Sequence, residues 1–200
     1  NVADDRAQAL GLWADFKASG LLADRILYLS LMRALGPETA DRRTVFELLD
    51  EASEAGIPLD TQLANYALRL LAGAKDVAGV EMLLERMRTG GVGRDVVSWT
   101  TAIKAFHEAR DWAKALGWLG EMEEEGVKPN EMTYATAMHV LSQAGQWKEA
   151  LRLLARMEAK GIKNVVALTS AMTACEAGKA YEEGLALWGK MQEIGLRPTM

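Results

Sequence analysis

The residues with the most versatile chemistry are few in this chain: one cysteine, Cys175, and two histidines, His107 and His139. The histidines are 32 residues apart, and no Cys/His cluster has the spacing of metal ligands. The same shortage leaves no Cys–His pair for nucleophilic catalysis. The glycine-rich stretch from Gly90 to Gly93 follows a helical pattern, so we interpret it as a helix cap and linker. The sequence therefore predicts no enzyme activity, metal site or cofactor.

The amino-acid composition limits which kinds of protein this chain can be. Half of the residues are hydrophobic and 26% are charged, as in ordinary folded proteins. No apolar run approaches the ~20 residues that span a bilayer, and a single cysteine excludes an intramolecular disulfide framework. The net charge of −5 disfavours nucleic-acid binding, although a local basic stripe can lie on an acidic body.

Six glycines recur at nearly constant intervals. They are Gly20, Gly56, Gly91, Gly126, Gly161 and Gly195. Subtraction gives separations of 36, 35, 35, 35 and 34 residues. Such a period is typical of a solenoid, in which each unit buries its apolar face against its neighbours. Each glycine follows a helical pattern, so we expect it to close a helix in the left-handed conformation.

Two amphipathic helical patterns occupy each period. In the first, apolar residues at i, i+3, i+4 and i+7 share one helix face. These quartets are Tyr28, Leu31, Met32, Leu35; Ala64, Ala67, Leu68, Leu71; Trp99, Ala102, Ile103, Phe106; Tyr134, Ala137, Met138, Leu141; and Leu168, Ala171, Met172, Cys175. To the second pattern we assign Val45, Phe46, Leu49, Ala52; Ala115, Leu116, Leu119, Met122; Ala150, Leu151, Leu154, Met157; and Leu185, Trp188, Met191. Each period is therefore predicted to be a helical hairpin.

Tryptophans and a run of glutamates could suggest stacking or ion binding, but both have simpler interpretations. Core positions are predicted for the tryptophans on apolar stripes and at the starts of second helices, which are Trp13, Trp99, Trp188, Trp112 and Trp147. Tyr181 begins a second helix, as Trp112 and Trp147 do in their repeats, whereas Trp118 lies beside a stripe. The acidic run from Glu121 to Glu125 is interpreted as a solvated helix face.

The repeat register divides the chain into units 25–60, 61–95, 96–130, 131–164 and 165–199 of one continuous solenoid. The extra residue of the first unit is placed in its turn, near Pro37. Residues 1–24 hold only the second helix of a truncated repeat, and Met200 would begin another unit. The chain is therefore expected to be a fragment of a longer array. No basic, Ser-rich leader follows Asn1, so no targeting segment is visible.

The stretch from Val96 to Asn130, VVSWTTAIKAFHEARDWAKALGWLGEMEEEGVKPN, resembles a pentatricopeptide repeat almost throughout. The resemblance rests on the VVSWTT opening, the AL pair, the GEM ending of the second helix and the GVKPN linker. Tetratricopeptide repeats keep a period of about 34 residues and lack this linker. The resemblance implies an all-α fold, an α-solenoid of helix-turn-helix repeats that form a right-handed superhelix.

In this family the first helices line a concave groove, and each unit can read one RNA base with its fifth and last side chains. The resemblance implies that Asn65 and Asp95 form a pair that the family associates with uracil. It likewise implies that Thr100 and Asn130 form a pair associated with adenine. The pairs that specify no base are Leu29 with Asp60, Ala135 with Asn164, and Thr169 with Thr199. A register shifted by one would replace Leu29 with Ser30, at the cost of the first quartet.

Two further columns follow from the same register. The second residue of each unit packs on base faces in the family, and the matching residues are Ile26, Gln62, Val97, Met132 and Val166. Alternatively, these helix-start residues cover the core. Four residues beyond each fifth place, on the same helix face, stand Arg33, Arg69, Lys104, His139 and Thr173. The first four, called the basic column below, could contact phosphates, or they could be the charges of an ordinary solvated face.

Two hypotheses about function follow. The first is an organellar protein, mitochondrial or plastid, that holds single-stranded mRNA or rRNA in its groove for RNA processing, stability or translation. The second is a scaffold subunit of a large organellar ribonucleoprotein assembly, such as a mitochondrial ribosome, that binds protein or rRNA without reading sequence. The two complete pairs and the basic column favour the first; the incomplete pairs and the net charge of −5 favour the second. Neither requires a membrane or a small-molecule substrate.

Overall fold

The computed structural model describes residues 11–16, 18, 23–36, 41–109, 111–162 and 165–193. Residues 11–16 are helical, and the helices that follow are numbered α1 to α10. Their bounds are α1 Arg25–Leu35, α2 Arg42–Glu54, α3 Thr61–Gly73, α4 Val77–Thr89, α5 Val96–Ala109, α6 Trp112–Glu124, α7 Glu131–Gln143, α8 Trp147–Ala159, α9 Val165–Ala177 and α10 Tyr181–Glu193. The all-α class is confirmed. Among the described residues, every helix is too short or too polar to cross a membrane.

The helices pack as successive hairpins in two compact units, Asn1–Ala105 and Phe106–Met200, which divide within α5. In the first unit, α1 packs on α2, α3 packs on α4, and α3 also contacts both helices of the preceding hairpin. In the second unit, α7 packs on α8 and α9 on α10, and α9 contacts both α7 and α8. Each unit is therefore a stack in which a first helix is buried against the hairpin before it, as helical repeats require.

The second helices end at the recurring glycines. Positive φ angles of 80°, 67°, 76° and 71° occur at Gly56, Gly91, Gly126 and Gly161. The next backbone N–H then closes the helix end, as when Ile57 N donates to Ala52 O at 2.9 Å. This is the Schellman arrangement, which favours glycine because a Cβ disfavours positive φ. The expected role of these four glycines is confirmed, whereas Gly20, Gly195 and Pro37 lie outside the described residues.

The predicted first-helix quartets form the core of each unit. Every quartet residue is buried except Met172, which is half-buried. Trp13 and Trp99 are buried as predicted, at 6% and 0% exposure. Cys175 is buried in α9, and burial raises the pKa of its thiol. The 3.6-residue periodicity therefore placed the first helices correctly.

The predicted second-helix stripe is wrong at one position in each of α2, α6 and α8. Phe46, Leu116 and Leu151 are half-buried. The buried leucines Leu48 and Leu153, which the prediction omitted, stand three residues after the start of their stripes. Leu187 of α10 and Leu83 of α4, a helix to which no stripe was assigned, are also buried. The second helices α2, α4 and α8 thus bury i, i+3, i+4 and i+7, as the first helices do, because each packs along one face against its partner.

In α10 the core prediction is confirmed for Met191, which is 1% exposed, but it is wrong for the other predicted side chains. Leu185 is 71% exposed, Tyr181 64% and Trp188 40%. In α8 the equivalent face is covered by α9, but no helix in the described part of the chain packs in that place on α10. Trp112 and Trp147, at the starts of α6 and α8, are half-buried rather than core. The apolar side chains of α10 instead line an open cavity of about 520 Å³ beside α9.

Ion pairs connect second helices one repeat apart. Arg86 Nη1 lies 2.6 Å from Asp50 Oδ1, which joins α4 to α2. Glu123 of α6 pairs with Arg156 and Lys160, and it also accepts a hydrogen bond from the Tyr134 hydroxyl at 3.1 Å. The interpretation of the glutamate run as a wholly solvated face is therefore wrong at Glu123, which is half-buried among these partners.

Asp76 connects two hairpins and caps a helix. Its Oδ2 accepts from Arg42 Nε at 2.7 Å, and its Oδ1 accepts from the backbone N–H of Gly79 at 3.0 Å, at the start of α4. The Arg42 hydrogen bond is the largest cause of a pKa below the usual 3.8, and it outweighs partial burial. The folded state therefore favours the Asp76 carboxylate more than the unfolded state does.

Acid is expected to destabilise the fold through this carboxylate. Above the unfolded value of 3.8 the depressed pKa contributes stability, and that contribution is lost as the pH falls through the lower folded value. Urea unfolding between pH 7 and pH 2 measures this loss. Asp76→Asn should be less stable at pH 7 and should depend less on pH below that value, and an unchanged pH profile would contradict the assignment.

Candidate functional site

The structure brings Asn65 and Asp95 into direct contact across two repeats. Asn65 Nδ2 donates to Asp95 Oδ1 at 3.1 Å and to Oδ2 at 3.2 Å. Asn65 lies in the second turn of α3, and Asp95 immediately precedes α5. The two residues implied to read uracil thus adopt a mutually fixed geometry, with Asn65 half-buried and Asp95 exposed.

Ser98 completes this network, and the sequence reasoning missed it. Its hydroxyl lies 2.5 Å from Asn65 Oδ1 and 3.0 Å from Asp95 Oδ1, and its backbone N–H donates to the same Asp95 oxygen at 2.8 Å. Ser98 is itself fully buried. The available signal was an Asp followed three residues later by Ser at a helix start, which is a capping pattern.

The network keeps Asp95 ionised. Partial burial alone would raise the pKa of Asp95, but hydrogen bonds from the Ser98 backbone and the Asn65 side chain outweigh it, so the pKa is lowered. Asp95 is therefore a carboxylate at neutral pH, a hydrogen-bond acceptor only. It orients the Asn65 amide, whose remaining polar capacity can face a ligand.

Asp60, Asp95 and Asn130, the last-place residues that the structure describes, share one structural role: they cap the next first helix. Asp60 Oδ1 accepts from the Leu63 N–H at 2.8 Å, and Asn130 Oδ1 accepts from the Thr133 N–H at 2.9 Å. Within the described chain, the Nδ2 group of Asn130 has no hydrogen-bond partner, so it can donate elsewhere. Thr100 belongs to the other compact unit, and its pairing with Asn130 stays a prediction.

The other implied base-reading places are poorly equipped. Leu29 and Ala135 are half-buried and carry no polar group. The Thr169 hydroxyl donates to Val165 O at 2.9 Å within its own helix. The last-place partners of Ala135 and Thr169, which are Asn164 and Thr199, lie outside the described residues.

The apolar residues at the second place of each repeat are exposed. The exposed fractions are 70% for Ile26, 51% for Val97, 65% for Met132 and 53% for Val166. The alternative that these residues cover the core is therefore wrong. Gln62 is also exposed and accepts from Arg25 Nη2 at 2.6 Å. Exposed apolar side chains at a fixed repeat position suit packing on flat rings, and that role stays a prediction.

In the first compact unit, the basic column surrounds one cavity. Arg33, Arg69 and Lys104, from α1, α3 and α5, line a space of about 470 Å³ together with Val97. Several arginines of this unit are paired with carboxylates, among them Arg25, Arg42, Arg43, Arg86 and Arg88. Arg33, Arg69 and Lys104, by contrast, form no ion pair with any described residue. Three uncompensated cations at one cavity make a local anion-binding surface on an acidic protein.

In the second compact unit, the basic column contains a histidine, His139, in place of arginine or lysine. His139 stacks on His107, with ring centroids 4.5 Å apart and an angle of 11° between the planes. Partial burial lowers the pKa of His139, and the neighbouring His107 lowers it further, so the neutral imidazole is favoured. Contact with a phosphate, which stays a prediction, would then be a neutral hydrogen bond. The described residues contain no group of three or more His, Cys, Asp or Glu arranged to hold a metal ion.

Comparison with known families finds two overlapping matches. A model of the PPR repeat family matches residues 94–142, and a model of the pentatricopeptide repeat domain matches residues 121–175. A comparison with curated proteins finds no match.

Comparison with solved structures finds similar helical repeats. The maize pentatricopeptide repeat protein PPR10 is 27% identical, with a TM-score of 0.77 over 97% of this chain and 28% of PPR10. PPR10 in complex with an 18-nt psaJ RNA element is 28% identical, with a TM-score of 0.70 over 88% of this chain and 26% of that one. The PPR domain of Arabidopsis thaliana protein-only RNase P 1, in complex with tRNA, shares the fold at 16% identity, with a TM-score of 0.66 and 91% coverage of each chain. The chain spans little more than a quarter of the maize protein.

Proposed function

We propose that this chain, which belongs to the pentatricopeptide repeat family, binds single-stranded RNA through the first helices of its repeats. The observation that carries the proposal is the cavity lined by Arg33, Arg69 and Lys104, whose charges no described carboxylate neutralises. Phosphate contacts of this kind dominate RNA affinity. The likeness to PPR10, which has been solved in complex with RNA, supports the same conclusion.

Sequence recognition, in this proposal, is concentrated in two repeats. Asn65 presents its amide to uracil while Asp95 and Ser98 hold it in place. Thr100 and Asn130 read the next base, adenine, through the Thr100 hydroxyl and the Nδ2 group of Asn130. Val97 and Met132, exposed at the second places, pack on the base faces. Family membership extends the proposal to action in a mitochondrion or plastid, on mRNA or rRNA.

A salt titration of RNA binding tests the proposal. A short single-stranded RNA that contains UA is titrated by fluorescence anisotropy at several salt concentrations, beside an RNA with that uracil replaced by guanine. Asn65→Ala removes the proposed hydrogen bonds, so affinity for the UA RNA should fall about three- to tenfold. The preference for uracil should disappear, and the salt dependence should remain.

Gln143→Ala is a suitable control, because Gln143, like Asn65, carries a side-chain amide. Gln143 is exposed and lies at the end of α7, away from the base-reading places. It should bind both RNAs as the unchanged protein does. If the protein bound neither RNA at low salt, RNA binding itself would be refuted. If Asn65→Ala bound both RNAs normally, base reading alone would be refuted.

The alternative function is a scaffold subunit of an organellar ribonucleoprotein assembly, such as a mitochondrial ribosome. The second compact unit supports it. The pKa of His139 is lowered there by partial burial, the Ala135 side chain cannot hydrogen-bond a base, and Leu185 and Trp188 expose apolar surface. Such surface suits protein contacts. Co-purification of a defined assembly, together with absent binding to free RNA, would favour this alternative.

A further inference from the structure

Tyr66 is an aromatic side chain on the proposed RNA-binding face to which the base-reading pattern assigns no role. It lies in α3, directly after Asn65, and its ring is half-buried. The guanidinium carbons of Arg33 and Arg69 are each 5.9 Å from the ring centroid. Arg33 Nη2 also donates to the Tyr66 hydroxyl at 3.0 Å. Two members of the basic column therefore hold this ring in place.

The position is unusual among the repeats of this chain. Tyr66 is the sixth residue of its unit, and the corresponding residues of the other units are small and hydroxylated: Ser30, Thr101, Thr136 and Ser170. Two of them are occupied differently: the Thr136 hydroxyl donates to Met132 O at 2.8 Å, and Ser170 is buried. An aromatic ring here is therefore not a requirement of the repeat fold.

Tyr66 also lines the cavity of the basic column. Thr101 and Val97, on α5, form the opposite part of the lining. At about 470 Å³ the cavity falls within the range of small-ligand sites and can admit one nucleotide. It combines an aromatic surface for a base with cations for its phosphate, the two elements that single-stranded nucleic-acid sites use.

We propose that Tyr66 is a further RNA-contact residue, which stacks on one base of the bound strand in this cavity, and that Arg33 positions its ring. The inference rests on the proposed function, since it names an additional contact on the same face. The neighbouring phosphate lies between Arg69 and Lys104, whose charges are available to it. The Arg33 hydrogen bond fixes the ring before RNA arrives, so less freedom is lost on binding.

The test compares Tyr66→Leu and Tyr66→Phe in the same RNA titration. Leucine removes the aromatic face, so affinity should fall between about fivefold and a hundredfold, the usual range for one stacked base. Phenylalanine keeps the face and should retain most of the affinity. Because stacking releases no counterion, the slope of log affinity against log salt should not change for either variant.

Tyr181→Leu, at an exposed tyrosine of α10, is the matched control and should bind normally. For Arg33, a double-mutant cycle provides the measurement: Arg33→Ala should cost less affinity in the Tyr66→Leu background than alone, because its positioning role is then gone. RNA carrying 4-thiouridine should crosslink to the peptide that contains Tyr66.

The outcomes separate the two proposals. Normal affinity of Tyr66→Leu and no crosslink to its peptide would overturn the stacking role, while RNA binding by the unchanged protein would leave the proposed function intact. No RNA binding by the unchanged protein at low salt would overturn both. Circular dichroism of each variant identifies any loss of affinity that arises from unfolding.

Discussion

Replacing both Arg69 and Lys104 with alanine is expected to lower RNA affinity roughly 50-fold near 50 mM salt, if each cation neutralises one phosphate. The slope of log affinity against log salt should become shallower by about 1.4, since each phosphate contact on a single strand contributes about 0.7. Both cations line the cavity of the first compact unit and have no described carboxylate partner, so their full charge is available. Affinities measured at several salt concentrations give both quantities.

A matched control separates local placement from net charge. Arg43→Ala with Arg88→Ala removes the same two charges, but these arginines are exposed, lie on α2 and α4, and pair with Glu47 and Glu85. This double variant should keep both the affinity and the slope nearly unchanged. An equal loss in both double variants would mean that binding responds to overall charge, and the proposed role of the basic column would be abandoned.

Trp99→Ala is expected to be the most destabilising single change considered, at about 3–5 kcal/mol, because a fully buried tryptophan is replaced by a cavity. Trp99 is 0% exposed in α5, and the Arg94 guanidinium lies 4.7 Å from its ring centroid. For a chain of this size the midpoint of thermal unfolding should fall by roughly 10 °C. Urea unfolding and calorimetry measure the two values.

Trp188→Ala makes the same change at a partly exposed site. Trp188 is 40% exposed on α10, so its replacement should cost about 1 kcal/mol or less. Comparable losses at the two sites would show that Trp188 is buried in solution. That result would favour the core position first expected from its place on the apolar stripe.

The hairpins could be predicted because local rules specify them. Gly56 and Gly126 close their helices with positive φ, as their spacing and the preceding apolar pattern indicated. The quartet that contains Trp99 and Phe106 is buried as its spacing required. These features depend on neighbours within one hairpin, so one sequence contains the information.

Errors arose where burial depends on the neighbouring hairpin. Leu151 and Leu153 both fit an apolar stripe beside Leu154, and only the direction of packing shows that Leu153 rather than Leu151 is buried. Trp188 illustrates the same dependence, since no described helix packs on its face of α10. A helical period gives the width of a stripe more reliably than its rotation about the helix axis.

The site was predictable only in part. The family register indicated Asn65 and Asp95, and the structure places them 3.1 Å apart. The contact of Ser98 with Asn65 and that of Tyr66 with Arg33 were missed because each joins residues 33 positions apart in neighbouring repeats. Such contacts follow from how hairpins stack, which local sequence does not encode.

Where the last residue of a repeat caps the next first helix, that role restricts which residues a base-reading position can contain. Asp60, Asp95 and Asn130 each accept a backbone N–H at the start of the next first helix. Good caps are limited to Asp, Asn, Ser, Thr and glycine. Under the proposed function, a mutation that changes base preference at this place must also keep a helix start intact. Helix stability therefore limits which residue types can occupy that position, whether or not RNA is bound. New base specificities should be easier to obtain by changing the fifth residue than by changing the last.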